Sequence, residues 1–354
     1  MQTSDFTYDL PEELIAQEPL VDRAAARLLV LRRATGQITH QRVDALPELL
    51  RSGDLVVVND TRVLPVRLQV RRETGGQGEV LLLHPLGKAP DGAPSAGVEW
   101  TALVRPARRL RPGEALRLPP GGEGLPVVRL VRQLGDGEAV VRFEGAGSED
   151  VPSLLRRIGQ VPLPPYIRRP LADPERYQTV YARREGSAAA PTAGLHFTPE
   201  LLQRLEAAGV ARAAVTLHVG LGTFRPVTAT RPQEHRLHAE WISVEEAAAQ
   251  AVAEARARQA RVVAVGTTVV RTLESQALPG GLVRPGGRWT DLYILPGSTF
   301  RVVDALLTNF HLPRSTLLMM VCAFGGQEAV LAAYREAVRL RYRFFSFGDA
   351  MLIL

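Results

Sequence analysis

The chain has 354 residues, 45% of them hydrophobic, and a formal net charge of +6. That length accommodates two domains and a large core. It holds no run of about eighteen apolar residues and its N-terminus has no basic segment leading into an apolar one, so composition points to a cytoplasmic enzyme without a membrane span or secretory signal.

In chain order, Leu10-Pro-Glu-Glu-Leu14 within Asp5–Gln17 reads as a short helix start, with Pro11 at the first position and acids in the first turn. Arg27–Arg33 and Gln37–His40 flank Thr35-Gly36 and predict a hairpin. Asp44–Arg51 predicts a short helix that stops at Gly53, and Asp54–Val58 a buried strand. That strand runs into Asn59-Asp-Thr-Arg-Val63. Asn59 and Asp60 suit a turn closed by their own side chains, whereas Arg62 and Arg67 do not fit that explanation.

From 66 to 147 the helical period disappears. Short strand-like runs (Val66–Arg71, Glu79–His84, Val98–Val104, Leu116–Leu118, Val127–Gln133 and Glu138–Phe143) alternate with Gly-Gly, Pro-Gly and Asp-Gly turns. This predicts a small antiparallel β-barrel inserted into an α/β domain made of residues 1–65 and 148–354. Lys88 is the only lysine, so the positive charge is carried by arginine. Arg105, Arg108, Arg109 and Arg111 cluster, as do Arg156, Arg157, Arg168 and Arg169 around Pro162–Tyr166. Such groups suit either a phosphate backbone or a solvated face.

The α/β pattern resumes with helices over Val151–Ile158 and Pro174–Ala182, separated by the proline-rich Val161–Arg169. The densest polar stretch follows. Ala190-Pro-Thr-Ala-Gly-Leu-His-Phe-Thr198 is a loop punctuated by Pro191 and Gly194, and Thr198-Pro-Glu opens a helix. The buried run Val210–Val219 breaks at Gly220 and Gly222, just before Thr223. A long helix over Val244–Gln259 leads to the strand Arg261–Val265 and then Gly266-Thr-Thr-Val-Val-Arg-Thr-Leu-Glu274. Trp289–Pro296, with Asp291, reads as a further strand and its end. Leu307–Thr316 precedes an apolar helix containing the single cysteine, Cys322, which reads as core. The amphipathic helix Gln327–Leu340 and Phe344–Leu354 close the chain.

Polar groups and glycines just past strand ends sit where open α/β sheets bind ligands. No G-x-G-x-x-G with a following acid, no phosphate-binding loop and no G-x-S-x-G is present, which excludes the commonest dinucleotide, nucleotide and hydrolase sites. His235, His238 and Glu240 suggest a metal only weakly: H-E-x-x-H is absent and Trp241-Ile-Ser-Val looks extended. His196, His218 and His311 each lie beside glycine, threonine or asparagine. Three such loops together suit proton transfer better than three separate core histidines.

Several blocks resemble the S-adenosylmethionine:tRNA ribosyltransferase-isomerase family. They are Asn59-Asp-Thr-Arg-Val-Leu-Pro, Pro162-Leu-Pro-Pro-Tyr-Ile, Tyr177-Gln-Thr-Val-Tyr-Ala, Ala190–Thr198, His218-Val-Gly-Leu-Gly-Thr-Phe-Arg-Pro-Val, Val265–Glu274, Leu307–Met319 and Phe345–Ile353. The match runs nearly end to end and is weakest across 72–147. Val269 stands where serine is usual, Arg314 where lysine is common, and Leu237 replaces a methionine.

The resemblance implies an α/β domain carrying an inserted β-barrel, as the patterning does. It also implies queuosine biosynthesis. The ribosyl part of S-adenosylmethionine passes to 7-aminomethyl-7-deazaguanine at the wobble position of a tRNA with a GUN-type anticodon, giving epoxyqueuosine, adenine and methionine. A base must take a proton beside the sulfonium, adenine needs a proton to leave, and the attacking amine must be uncharged. His196 and His218 are the expected proton-transfer groups, with Asp60, Glu240 and Asp291 as carboxylates near the sulfonium or ribose. Arg62 and Arg271 are expected at the methionine carboxylate or a tRNA phosphate. Thr192, Gly194, Gly220, Gly222, Thr223, Thr267, Thr268, Glu274 and His311 complete the expected substrate contacts. No metal or resident cofactor is expected, S-adenosylmethionine being consumed, and the protein is expected to be a monomer. The rival readings are a non-catalytic tRNA-binding protein and a metal-dependent hydrolase using His235 and His238.

Overall fold

A computed structural model of the chain describes residues 1–88, 94–118, 126–135, 137–145, 150–220 and 227–354. Gly222 and Thr223 lie outside the described residues. The chain folds as two compact units: Met1–Thr61, Pro164–Arg184 and Ala190–Leu354 form the first, and Arg62–Leu163 with Glu185–Ala189 the second.

The first unit opens with β1 (Arg27–Arg32), β2 (Gln37–Arg42), α1 (Leu46–Leu49) and β3 (Leu55–Asn59), and the chain leaves it along β4 (Thr61–Val63). The second unit holds β5 (Arg67–Arg72), β6 (Gln77–Lys88), β7 (Pro94–Arg105), β8 (Ala115–Arg117), β9 (Val127–Gly135), β10 (Glu138–Glu144) and α2 (Val151–Ile158). After a second crossing at β11 (Arg184–Ser187) come α3 (Pro199–Ala207), β12 (Ala211–Leu217), β13 (Glu240–Val244) and α4 (Glu246–Ala257). β14 (Val262–Val265), α5 (Thr267–Ser275), β15 (Gly286–Thr290) and β16 (Ala305–Asn309) follow. The chain ends through α6 (Thr316–Gly325), α7 (Gln327–Arg339) and β17 (Ala350–Ile353).

In the first unit nine strands form one sheet in the order β15-β13-β12-β3-β14-β16-β17-β1-β2. Its centre is parallel: β3 pairs in register with β12 (Ala211 with Leu55) and β14 (Val262 with Leu55), and β14 with β16. All five residues of β3 are buried, as a strand covered on both faces requires. Alternate β3 side chains face different cores. Leu55 and Val57 pack among Val252, Val270, Val321 and Ala333 of α4–α7, and Val56 and Val58 among Leu46, Leu201 and Leu205 of α1 and α3. Cys322 is buried in the first of these cores. Among the described residues no single helix is long and apolar enough to cross a membrane.

In the second unit β10-β7-β6-β5-β8-β9 close into an antiparallel barrel, the architecture expected from its turns. Its strands lie within 67–144, while the compact unit extends further and includes α2. Leu68, Val70, Val80, Leu82, Trp100 and Val104 fill the interior at period two. The side chain of Asp150 caps α2 by accepting from the Ser153 amide at 2.7 Å.

Several elements differ from expectation. The helix expected after Pro11 is a single 3-10 turn, Glu12–Leu14, with Pro11 before it rather than inside it. Pro174–Ala182 shrinks to the turn Pro174–Tyr177, because the chain leaves helical geometry at Gln178 to bury Tyr177 and Thr179. The strand near Trp289 starts earlier, at Gly286, and ends before Asp291. Its glycines concealed it: a Cβ on Gly287 would lie 2.3 Å from the Trp241 ring on the neighbouring strand, so glycine serves close packing here rather than a turn.

Candidate active site

Because β3, β12, β14 and β16 are parallel, their carboxyl ends share one edge of the sheet. This edge delivers Asp60, His218, Gly266-Thr267 and Phe310-His311, the residues that follow each strand. A cavity with about 630 Å³ of empty volume opens there. Its walls are the turn Ala190–Ala193, the start of α5, the loop from β16 into α6, and Tyr166 with Phe345-Ser346.

Four expected contacts, Thr192, Thr267, Thr268 and His311, line this cavity, and so do Asn309 and Ser346. Among the described residues no Asp, Glu, Lys or Arg lines it. The rings of Tyr166 and Phe345 meet with centroids 4.8 Å apart, and the Tyr166 hydroxyl lies 2.8 Å from Ser346 Oγ. Thr268 Oγ1 and Asn309 Oδ1 are buried without a hydrogen-bond partner. An orphaned buried acceptor costs about 1–3 kcal/mol, so two at one cavity mark a place where a ligand would supply the missing bonds.

Asn309, which sequence reasoning passed over in favour of His311, links the cavity to His196. Its amide nitrogen donates to the Phe345 carbonyl at 3.0 Å, which fixes the amide orientation, and faces His196 Nε2 at 3.3 Å. Nε2 is therefore an acceptor, and the ring also hydrogen-bonds the backbone of Arg23. Burial pushes the His196 pKa down to about 4, against an opposing pull from Asp349. His196 thus stands one side chain behind the cavity, and burial keeps it neutral. His218 is half-buried at the end of β12, next to the cavity-lining Val219. Its Nδ1 lies 2.8 Å from Thr61 Oγ1, and burial lowers its pKa to about 4, partly offset by Asp60. His311 lines the cavity with Nε2 2.8 Å from Thr308 Oγ1, and burial lowers its pKa to about 3.

The expected carboxylates are placed differently. Asp60 is buried, with Oδ1 accepting from Thr216 Oγ1 at 2.6 Å and Oδ2 from Arg183 at 3.0 Å. Glu240 gives one oxygen to the Gly220 amide at 2.8 Å and the other to Arg271. Arg271 is equally committed: it also donates to the Leu292 carbonyl at 3.2 Å and lies only 5% exposed. This buried pair braces β13 against α5 and the strand end at Gly220, and neither residue lines the cavity. Glu274 accepts from the backbone amides of Arg301, Val302 and Val303, so its role is to hold that loop. Asp291 is exposed, Arg62 belongs to the second unit, and His235 packs edge-on to Tyr293. Gly194 lies off the cavity; a Cβ there would sit 2.1 Å from Tyr181 Oη, so it permits packing rather than ligand approach. Among the described residues no group of three or more His, Cys, Asp or Glu is placed to hold a metal ion.

A family model described as queuosine biosynthesis protein matches residues 3–353. The chain belongs to the queuosine biosynthesis family. Proteins named S-adenosylmethionine:tRNA ribosyltransferase-isomerase from Symbiobacterium thermophilum and Anaeromyxobacter sp. are 54% and 55% identical to this family member. Each alignment covers all of this chain and 100% or 99% of the relative. A solved structure of an S-adenosylmethionine tRNA ribosyltransferase from Thermotoga maritima is 39% identical, covers 99% of this chain and 100% of its own, and superposes with a TM-score of 0.55. The family resemblance seen in the sequence blocks is thereby established over the whole chain. The signal that would have found Asn309 was already present: it closes a buried strand whose end carries polar residues, in the block Leu307-Thr-Asn-Phe-His.

Proposed function

We propose that this chain transfers and isomerises the ribosyl group of S-adenosylmethionine onto 7-aminomethyl-7-deazaguanine at the wobble position of a GUN-anticodon tRNA, releasing adenine and methionine. The observation that carries this reading is the uncharged cavity at the carboxyl edge of the parallel strands, in a member of the queuosine biosynthesis family. A sulfonium is repelled by arginine and attracted by aromatic faces; Tyr166, Phe310 and Phe345 supply such faces, and among the described residues no positively charged side chain lines the cavity. Thr192, Thr267, Thr268 and Asn309 offer hydroxyls and an amide to the ribose hydroxyls and adenine edge, and the N-terminus of α5 points its amides at the same space.

His218 is the proton-transfer group in this account. It is held neutral by burial, oriented by Thr61, and half-buried beside the cavity wall. His196 orients Asn309 from behind. Asp60, Glu240 and Arg271 act through the scaffold. S-adenosylmethionine is a consumed substrate, no resident cofactor enters, and the enzyme works as a cytoplasmic monomer. A tRNA-binding role without chemistry leaves the orphaned Thr268 and Asn309 oxygens without a purpose.

The test is single-turnover release of adenine and methionine, followed by mass spectrometry, from S-adenosylmethionine and tRNA bearing the deazaguanine precursor. His218→Ala should lower the rate about 10²–10⁴-fold with little change in substrate affinity. No adenine from the wild-type protein under these conditions refutes the reading.

A further inference from the structure

Behind Asn309 and His196 lies a second cavity of about 290 Å³ empty volume, lined by Pro19, Leu20, Arg23, Arg176, His196 and Phe347 among others. Ser346 lines both cavities, so one side-chain layer separates them. The second cavity is strongly cationic where the first is uncharged. Arg23 donates to the carbonyls of Gln178 at 2.8 Å and Arg176 at 3.2 Å, and Arg176 donates to the carbonyls of Leu20 and Val21. Arg343, outside the cavity lining, reaches the Glu18 carbonyl beside Pro19, while its Nη1 is buried without a partner.

Neutral carbonyls fix these guanidiniums in place without cancelling their charge. Among the described residues no carboxylate forms an ion pair with Arg23, Arg176 or Arg343. Asp173 and Glu175 act on Arg23, and Asp349 and Glu18 on Arg343, only at longer range. Asp349, which faces this group, is already bonded by Arg27 and the Arg343 amide. The arginines also oppose one another: Arg176 works against the charge of Arg23, and Arg23 and Arg343 both act against charging His196. Pre-positioned, half-buried guanidiniums held by carbonyls rather than by direct ion pairs are the arrangement that recognises a phosphate oxygen.

We propose that this arginine-lined cavity binds a backbone phosphate of the RNA substrate next to the nucleotide being modified. The identity of the anion rests on the ribosyl-transfer reading; the cationic site itself does not. The methionine carboxylate is the other anion at hand, but Asn309, His196 and Ser346 wall it off from the arginines.

The experiment measures binding of an anticodon stem-loop RNA by fluorescence anisotropy over a series of KCl concentrations, with melting temperatures taken on each variant. Arg176→Gln and Arg23→Gln should each weaken binding and lower the slope of log affinity against log salt by roughly one, the loss of one phosphate contact. Arg176→Lys should restore most of the slope. The KM for S-adenosylmethionine should stay at the wild-type value. Folded glutamine variants with unchanged slopes overturn the proposal, as does a raised KM for S-adenosylmethionine with RNA affinity intact. If Arg176→Gln fails to fold, Arg23→Gln decides. Wild-type adenine release in the same buffer separates failure of this site from failure of the ribosyl-transfer reading.

Discussion

Glu240 and Arg271 illustrate how residue type alone misplaces a role. Both are polar residues at strand ends, and a carboxylate near a sulfonium or a guanidinium near a carboxylate would be chemically sensible. They lie 31 residues apart in sequence but meet as a buried pair, which no periodicity reveals. Removing one member leaves the other charged, buried and unpaired, at a cost of about 3–5 kcal/mol. Glu240→Ala should therefore lower the melting temperature steeply, and activity should fall with the folded fraction rather than ahead of it. Normal stability with lost turnover would return Glu240 to the chemistry. The converse error concerns Asn309: histidines attract attention because they titrate near neutral pH, whereas an amide is judged only by its partners, and these appear only in three dimensions.

At the scale of elements, the strands were the legible part. The Val-rich runs, the hairpin of β1 and β2, the barrel turns, the Thr198 cap of α3 and the helices α4 to α7 all follow from period and capping. The segments that went wrong are short, or have glycine or buried side chains overriding the pattern, as at Gly287 and Tyr177. Glycines in the polar loops separate on the same ground. At Gly194 a Cβ would meet Tyr181 Oη at 2.1 Å and Thr179 Cγ2 at 2.8 Å, while at Gly220 the nearest atom is Glu240 Oε1 at 3.7 Å. Gly194→Ala should cost roughly 1–3 kcal/mol through overpacking, and Gly220→Ala should be close to neutral, both read from urea unfolding. Equal effects at the two positions would contradict this assignment of the turn.

For the whole molecule, three neutral histidines, His196 buried and His218 and His311 half-buried, link stability to pH. Their folded-state pKa values lie at about 4 for His196 and His218 and about 3 for His311, below the ordinary imidazole value of about 6.5. The unfolded chain therefore binds protons that the folded chain refuses between pH 6.5 and about 4. Stability is full above that window and falls as pH drops through it. The melting temperature should decline from pH 7 toward pH 4, and His311→Asn should flatten part of that decline; a flat profile in the wild type would mean that the histidines are not buried as described. The net charge of +6 was readable from composition, but its division between an uncharged cavity and an arginine-lined one was not, because it depends on which loops meet at one sheet edge.

The most direct test of the central claim is calorimetric binding of S-adenosylmethionine to the wild-type protein and to Thr268→Val and Asn309→Leu. Each variant removes one of the orphaned oxygens without adding charge. If the uncharged cavity is the S-adenosylmethionine site, each should weaken binding by about tenfold, or ~1.4 kcal/mol, with the melting temperature held or raised in Thr268→Val and lowered in Asn309→Leu, which also removes the donor to the Phe345 carbonyl. Wild-type affinity in both folded variants would place S-adenosylmethionine elsewhere.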